Sequence, residues 1–153
     1  MKGTQAAAIA ARVAVAAVFV VNVQCALSFV LQPAAFAGSF ELAGAGIAGE
    51  TAVRGLGVAF LMWNATYPAV IASPRRFRAL YVVVLVQQAI GLVGESMIRL
   101  GLPAGHADLA ASIDRFVAFD AAGLVLMAGT FAALLVADRR AARCATADIR
   151  SET

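Results

Sequence analysis

Four stretches of this chain, each about 20 residues long and sparingly charged, decide what it can become. They run from about Ala8 to Leu31, Gly55 to Ala72, Leu80 to Leu100 and Phe116 to Ala137. A helix rises about 1.5 Å per residue and the hydrocarbon of a bilayer is about 30 Å thick, so each stretch has the length to cross as a helix. Of the 153 residues, 62% are hydrophobic and 14% charged. A soluble domain holds about 45–50% apolar and about 25% charged residues. One core of this size cannot hide the surplus, and lipid is the expected solvent. The chain is expected to be all-α, a single integral membrane four-helix bundle over residues 1–153, ending in a basic tail over 138–153.

The basic residues orient the bundle. With the N-terminus inside, the inner side receives Lys2, Arg12, Arg75, Arg76, Arg78, Arg139, Arg140, Arg143 and Arg150, nine of the twelve. Arg54, Arg99 and Arg115 remain outside. This asymmetry predicts an N-in, C-in topology, which also requires an even number of spans. Lys2, Arg12 and the small-x-small run Ala35-Phe36-Ala37 resemble a signal peptide, but the apolar stretch is longer than an h-region. The first helix is expected to stay attached.

Breakers punctuate the spans. Pro33 follows the first, Ser73-Pro74 the second, and Gly101, Pro103 and Gly105 the third. Ser112 or Asp114 is placed to cap the fourth helix. Pro68 falls inside the second, where it removes a donor and predicts a kink. The weakly apolar segment 38–49 reads as a loop or short interfacial helix.

Ionisable groups in the spans carry most of the functional information, because a charge at the bilayer centre costs about 2.5–3.5 kcal/mol on insertion scales. At 100° per residue, Gln88, Gly91, Glu95 and Arg99 share an arc of roughly 80° on the third helix. Glu95 and Arg99 are spaced i, i+4 with the acid first, the order that favours an ion pair. Glu50 and Arg54 repeat that spacing, and Asn64 lies further along the same face. Asp120 lies about one turn inside the outer end of the fourth helix, on a face with Gly123, Met127 and Thr130. On the first helix Gln24 and Ser28 share a face, and Asn22 points the other way. Gln24, Arg54, Glu95, Arg99, Arg115 and Asp120 fall in the outer half, with Gln88 and Asn64 nearer the middle. The expectation is a polar chamber open to the outer face, with Arg99 or Arg54 as the basic partner of Glu95. Such a chamber suits a small amphiphile, a lipid head group or a quinone. It also suits a purely structural ion-pair network.

The remaining signals are weaker. Cys25 and Cys144 are far apart and form no redox motif. His106, the one histidine, lies in a Gly/Pro loop and reads as solvated; one histidine supplies neither a metal site nor paired haem ligation. Trp63 and Tyr67, which flank Asn64, read first as ordinary packing and second as the lining of a ligand pocket. No phosphate-binding glycine loop, nucleophile elbow, metalloprotease helix or nucleic-acid module is present.

The length, the four spans and the glycine-rich approach to the second helix resemble the DoxX-like group of small bacterial four-helix membrane proteins. That approach reads Phe40-Glu41-Leu42-Ala43-Gly44, then Thr51-Ala52-Val53-Arg54-Gly55-Leu56-Gly57. The resemblance covers about residues 10–137 and carries over no catalytic residue. It implies a bacterial cytoplasmic membrane and points to quinone-linked redox systems. Three functions are therefore expected to compete. The first is an amphiphile-binding pocket protein. The second is an accessory or scaffold subunit without ligand chemistry, binding a membrane protein or a second copy. The third is a small transporter, channel or quinone-linked redox subunit.

Overall fold

The computed structural model describes residues 2–151, and among them there is no β-strand. Helix α1 spans Lys2–Leu31, α2 Pro33–Ala37, α3 Ile47–Trp63, α4 Tyr67–Ala72, α5 Arg78–Gly101 and α6 Ala107–Ser151. Single 3₁₀ turns lie at Gly38–Phe40, Ala43–Ala45 and Asn64–Thr66. Four segments are long and apolar enough to cross a membrane: Gly3–Leu31, Ile47–Ala72, Arg78–Gly101 and Ala107–Cys144.

The helices are longer than their apolar stretches. Hydropathy marks where charge is scarce, whereas a helix continues for as long as its backbone bonds can be made. Thus α3 begins at Ile47, with Glu50 in its first turn, eight residues before the expected Gly55. Helix α6 begins at Ala107 rather than Phe116, and runs for 45 residues into the basic region expected as a tail. Ser112 and Asp114 are consequently inside α6 and do not cap it.

The second rod breaks where Pro68 requires it. Pro68 has no N–H to bond the carbonyl four residues earlier, that of Asn64, and the chain takes a 3₁₀ turn over Asn64–Thr66 before resuming as α4. The Tyr67 N–H takes up the Asn64 carbonyl, and side chains bond around the break. Gln87 Nε2 donates to the Trp63 carbonyl at 3.3 Å, and Thr66 Oγ1 donates to Gln87 Oε1 at 3.3 Å. Asn64 Nδ2 donates to Phe60 O at 2.8 Å.

Helix α1 is the central rod, packed against α3, α4 and α6, while α5 packs against α6 and α4. Ala11, Ala14, Val15 and Val18 of α1 meet Tyr67, Val70, Tyr81, Val84, Met127 and Leu134 in the larger apolar core. A smaller core of Phe29, Ala37 and Val53 lies at the end that carries the 32–46 connection. At the opposite end Arg75 and Arg78 both pair with Asp138, and Arg75 also reaches the carbonyl of Thr4. Arg12 Nη2 donates to Ala72 O at 2.9 Å, where α4 leaves its carbonyls unpaired. These contacts tie α1, α4, the 73–77 turn and α6 together.

Contact between α1 and α3 depends on Gly57. A Cβ there would stand 2.7 Å from the Ala26 carbonyl oxygen and 2.8 Å from Val30 Cγ2, so the two backbones would have to part. At Gly55 a Cβ would meet nothing within 4 Å. Gly57→Ala is therefore expected to cost about 1–3 kcal/mol as an overpacked contact. Gly55→Ala is expected to be neutral or stabilising by up to about 1 kcal/mol through helix propensity. Thermal unfolding of both variants in one detergent checks this; equal midpoints would contradict it.

Candidate functional site

Between the helices, beside the 32–46 connection, is a cavity of about 440 Å³. Its wall is aromatic: Phe29 of α1, Phe36 of α2, Phe40 of the first 3₁₀ turn, Phe60 of α3, and Phe116 and Phe119 of α6. Phe29 is the hub, with ring centroids 5.0 Å from Phe36, 5.5 Å from Phe40 and 6.1 Å from Phe60. Phe116 closes the ring against Phe40 and Phe60 at 6.4 and 6.1 Å. Such offset and edge-to-face pairs hold a wall in shape beyond the area they bury.

Polar groups gather at one part of this wall: Asn22, Glu95 and Asp120, with Cys25, Ser39, Ser112 and Arg115 nearby. Asn22, Phe60, Glu95 and Asp120 also border a second cavity of about 180 Å³, whose other lining includes Trp63, Asn64, Gln87, Gln88 and Gly91. The two volumes share four residues and form one chamber with an apolar part and a polar floor.

Hydrogen bonds organise the floor. Tyr67 OH donates to Gln88 Oε1 at 3.3 Å, and Gln88 Nε2 donates to Asp120 Oδ1 at 2.6 Å. Asn22 Nδ2 donates to Asn64 Oδ1 at 3.2 Å. Asp120 lies close against α5 because Gly91 has no side chain; a Cβ there would stand 2.5 Å from Asp120 Oδ2. Glu95 differs from its neighbours. Its Oε2 is buried and has no hydrogen-bond partner. Burial of an unpaired carboxyl oxygen is costly, which makes Glu95 the least satisfied polar group of the chamber lining. Beneath the floor, Val15, Val18, Tyr67, Val84 and Met127 fill the bundle with apolar packing.

The chamber brings together Asn64, Gln88, Glu95, Arg115 and Asp120 of the expected site residues. The expected pairing of Glu95 is corrected. Arg99 Nε binds Asp114 Oδ1 at 2.8 Å across the connection to α6, and Arg54 Nε donates to Val30 O at 3.3 Å. One turn separates Glu95 from Arg99, and that turn takes the arginine out to an exposed carboxylate while Glu95 stays among the helices. Glu50 and Arg54 make no ion pair, although their spacing permits one; both lie at the open end of α3, where water competes.

Gln24 is also outside the chamber, exposed on the other side of α1, with its carbonyl accepting from Ser28 Oγ at 2.9 Å. The correct face of α1 is that of Asn22, Cys25 and Phe29, spaced i, i+3, i+7. That spacing is visible in the sequence, but Gln24 and Asn22 are equally polar and Gln24 shares its face with a second polar residue, Ser28. The phenylalanine wall was also missed, because its six rings come from five elements and only Phe116 and Phe119 share a helix. Among the described residues no three His, Cys, Asp or Glu side chains converge as metal ligands.

His106 is exposed but not free, as the loop reading had it. Its Nδ1 lies 2.5 Å from Glu41 Oε2, and Glu41 Oε1 accepts from the Leu109 N–H at 3.3 Å. Glu41 thereby caps the first turn of α6 from a distant segment and fastens the connection that supplies Phe36, Ser39 and Phe40 to the cavity. Comparison with protein-family models, characterised proteins and solved structures gives no match to this chain.

The hydrogen bond from His106 holds the Glu41 carboxyl below the usual glutamate range, and the Leu109 N–H and the histidine's charge add to it. A carboxyl lowered on folding stabilises fully above its unfolded value, about 4.3, and that stabilisation is lost as pH falls through the lower folded value. Hydrogen exchange of residues 38–42 and of the Leu109 amide should show protection at pH 7 that falls below about pH 4. Glu41→Ala should be unprotected at both. Equal protection in the variant would refute the latch.

Proposed function

We propose that this chain is a multi-pass protein of a bacterial cytoplasmic membrane that binds a small amphiphile, such as a lipid or quinone, in the chamber between its helices. The observation that carries this reading is the phenylalanine-walled cavity of about 440 Å³ with an unpartnered carboxyl oxygen, Glu95 Oε2, at its floor. Small-molecule sites are mostly apolar clefts of about 300–1,000 Å³ with a few placed polar groups.

Three further features support the reading. The bundle's surface is apolar, with Val20, Leu27, Met62, Val86, Ile90, Met97 and Val125 exposed, as a lipid-facing surface would be. The two connections that carry Glu41 and His106 meet at the end opposite the Arg75–Asp138 cluster, in keeping with N-in, C-in topology. The apolar packing below Gln88 offers no continuous polar path, which favours a binding chamber over a one-chain channel. The DoxX-like likeness belongs to the same proposal. It rests on length, span number and the 40–57 segment.

Two measurements test it. His106→Cys, in a background lacking Cys25 and Cys144, is expected to react with an impermeant thiol reagent on intact cells. Reaction only after permeabilisation would overturn the topology. Native mass spectrometry of the protein extracted in mild detergent is expected to show a retained small amphiphile, reduced several-fold in a folded Glu95→Gln variant. A wild-type protein that retained none, and bound none when offered lipid and quinone extracts, would overturn the binding reading.

A further inference from the structure

The chamber's hydrogen-bonding inventory indicates which head group it accepts. Each amide nitrogen at the floor gives one of its two N–H donors to an acceptor of the protein: Asn22 to Asn64, Asn64 to Phe60 O, Gln87 to Trp63 O, and Gln88 to Asp120. The Tyr67 hydroxyl is directed at Gln88. The floor leaves acceptors over: Glu95 Oε2 is buried without a partner, and Asp120 has one oxygen engaged by Gln88. In its ionised form the Glu95 carboxylate accepts only, and a guest that satisfies that form must donate or carry positive charge.

Charge and wall composition agree. The ionisable acids and bases lining the larger cavity are Glu95, Asp120 and Arg115, two carboxylates against one guanidinium. Arg115 is exposed, so its charge is screened by water, while Glu95 Oε2 is buried. Six phenylalanines make up most of the remaining wall, with Val21, Asn22, Cys25, Ser39 and Ser112, and aromatic ring faces attract organic cations more than alkyl walls do. At Glu95 and Asp120 a quinone carbonyl or an anionic head would meet acceptors with acceptors of its own. We infer that the chamber selects amphiphiles with an alkyl- or arylammonium head, seated on Glu95 with the tail among the phenylalanines. This inference rests on the amphiphile-binding reading and narrows it.

Cys25 lines the same cavity and reports occupancy, whereas exposed Cys144 lies elsewhere. The full chain carrying Cys144→Ser, in a maltoside detergent, is challenged with decyltrimethylammonium, decanol and decanoate at matched mole fractions. The readouts are the rate of Cys25 alkylation by N-ethylmaleimide and the thermal unfolding midpoint, which rises with ligand occupancy. The midpoint decides alone if Cys25 reacts too slowly to follow. The ammonium is expected to act at a mole fraction about tenfold lower than decanol, equivalent to about 1.4 kcal/mol. Glu95→Gln is expected to abolish that gap and keep the effect of decanol, with Asp120→Asn as a second variant if Glu95→Gln fails to fold. Equal potency of ammonium and decanol would overturn cation selection and leave amphiphile binding standing. Greater potency of decanoate would overturn it in favour of Arg115. No response to any probe would overturn both readings.

Discussion

The carboxamide of Gln88 is the contact on which the bundle's interior depends. It accepts from Tyr67 of α4 and donates to Asp120 of α6, so one side chain of α5 joins three helices at one level. Gln88 is 2% exposed and Tyr67 fully buried, which removes water as a competing partner. A buried amide whose groups are not met costs about 1–3 kcal/mol each, so the level at which these three helices meet is fixed by satisfaction of the network rather than by shape alone. On one side the core closes around Val15, Val84 and Met127; on the other it opens into the chamber.

The same economy explains the second rod. Pro68 removes one donor from the helix, and the neighbouring Gln87 donates to Trp63 O and accepts from Thr66 Oγ1 beside the break. Adjacent glutamines on α5 thus have separate tasks. Gln87 repairs a backbone, and Gln88 joins side chains. Helix breaks in an apolar medium are tolerated only where such partners stand by.

Much of this was legible in the chain. Four apolar stretches gave the helix number, and Pro68 marked the break. The arc of Gln88, Gly91 and Glu95 marked the inward face of α5, and Asp120 with Gly123 and Met127 the facing stripe of α6. Partners were less legible than faces. A helical wheel states direction but not reach, and arginine side chains are long enough to choose among several acceptors. Arg99 chose Asp114 and Arg54 a carbonyl, neither fixed by local spacing. The α1 face was misassigned because Gln24 and Asn22 are equally polar and Ser28 shares the face of Gln24. The aromatic wall and the Glu41–His106 contact join segments up to 65 residues apart, and periodicity carries no information at that range.

Glu41 occupies its turn at φ 56°, the one non-glycine residue with positive φ among the described residues. A side chain in that left-handed conformation costs roughly 1–2 kcal/mol that glycine would not incur. Glycine, however, has no carboxylate to offer His106 and the first turn of α6. The closed connection is therefore held by a difference between opposing terms. Its hydrogen bonds hold the turn while its backbone conformation opposes them. The net hold on the segment beside the cavity is thus smaller than its contacts alone would indicate.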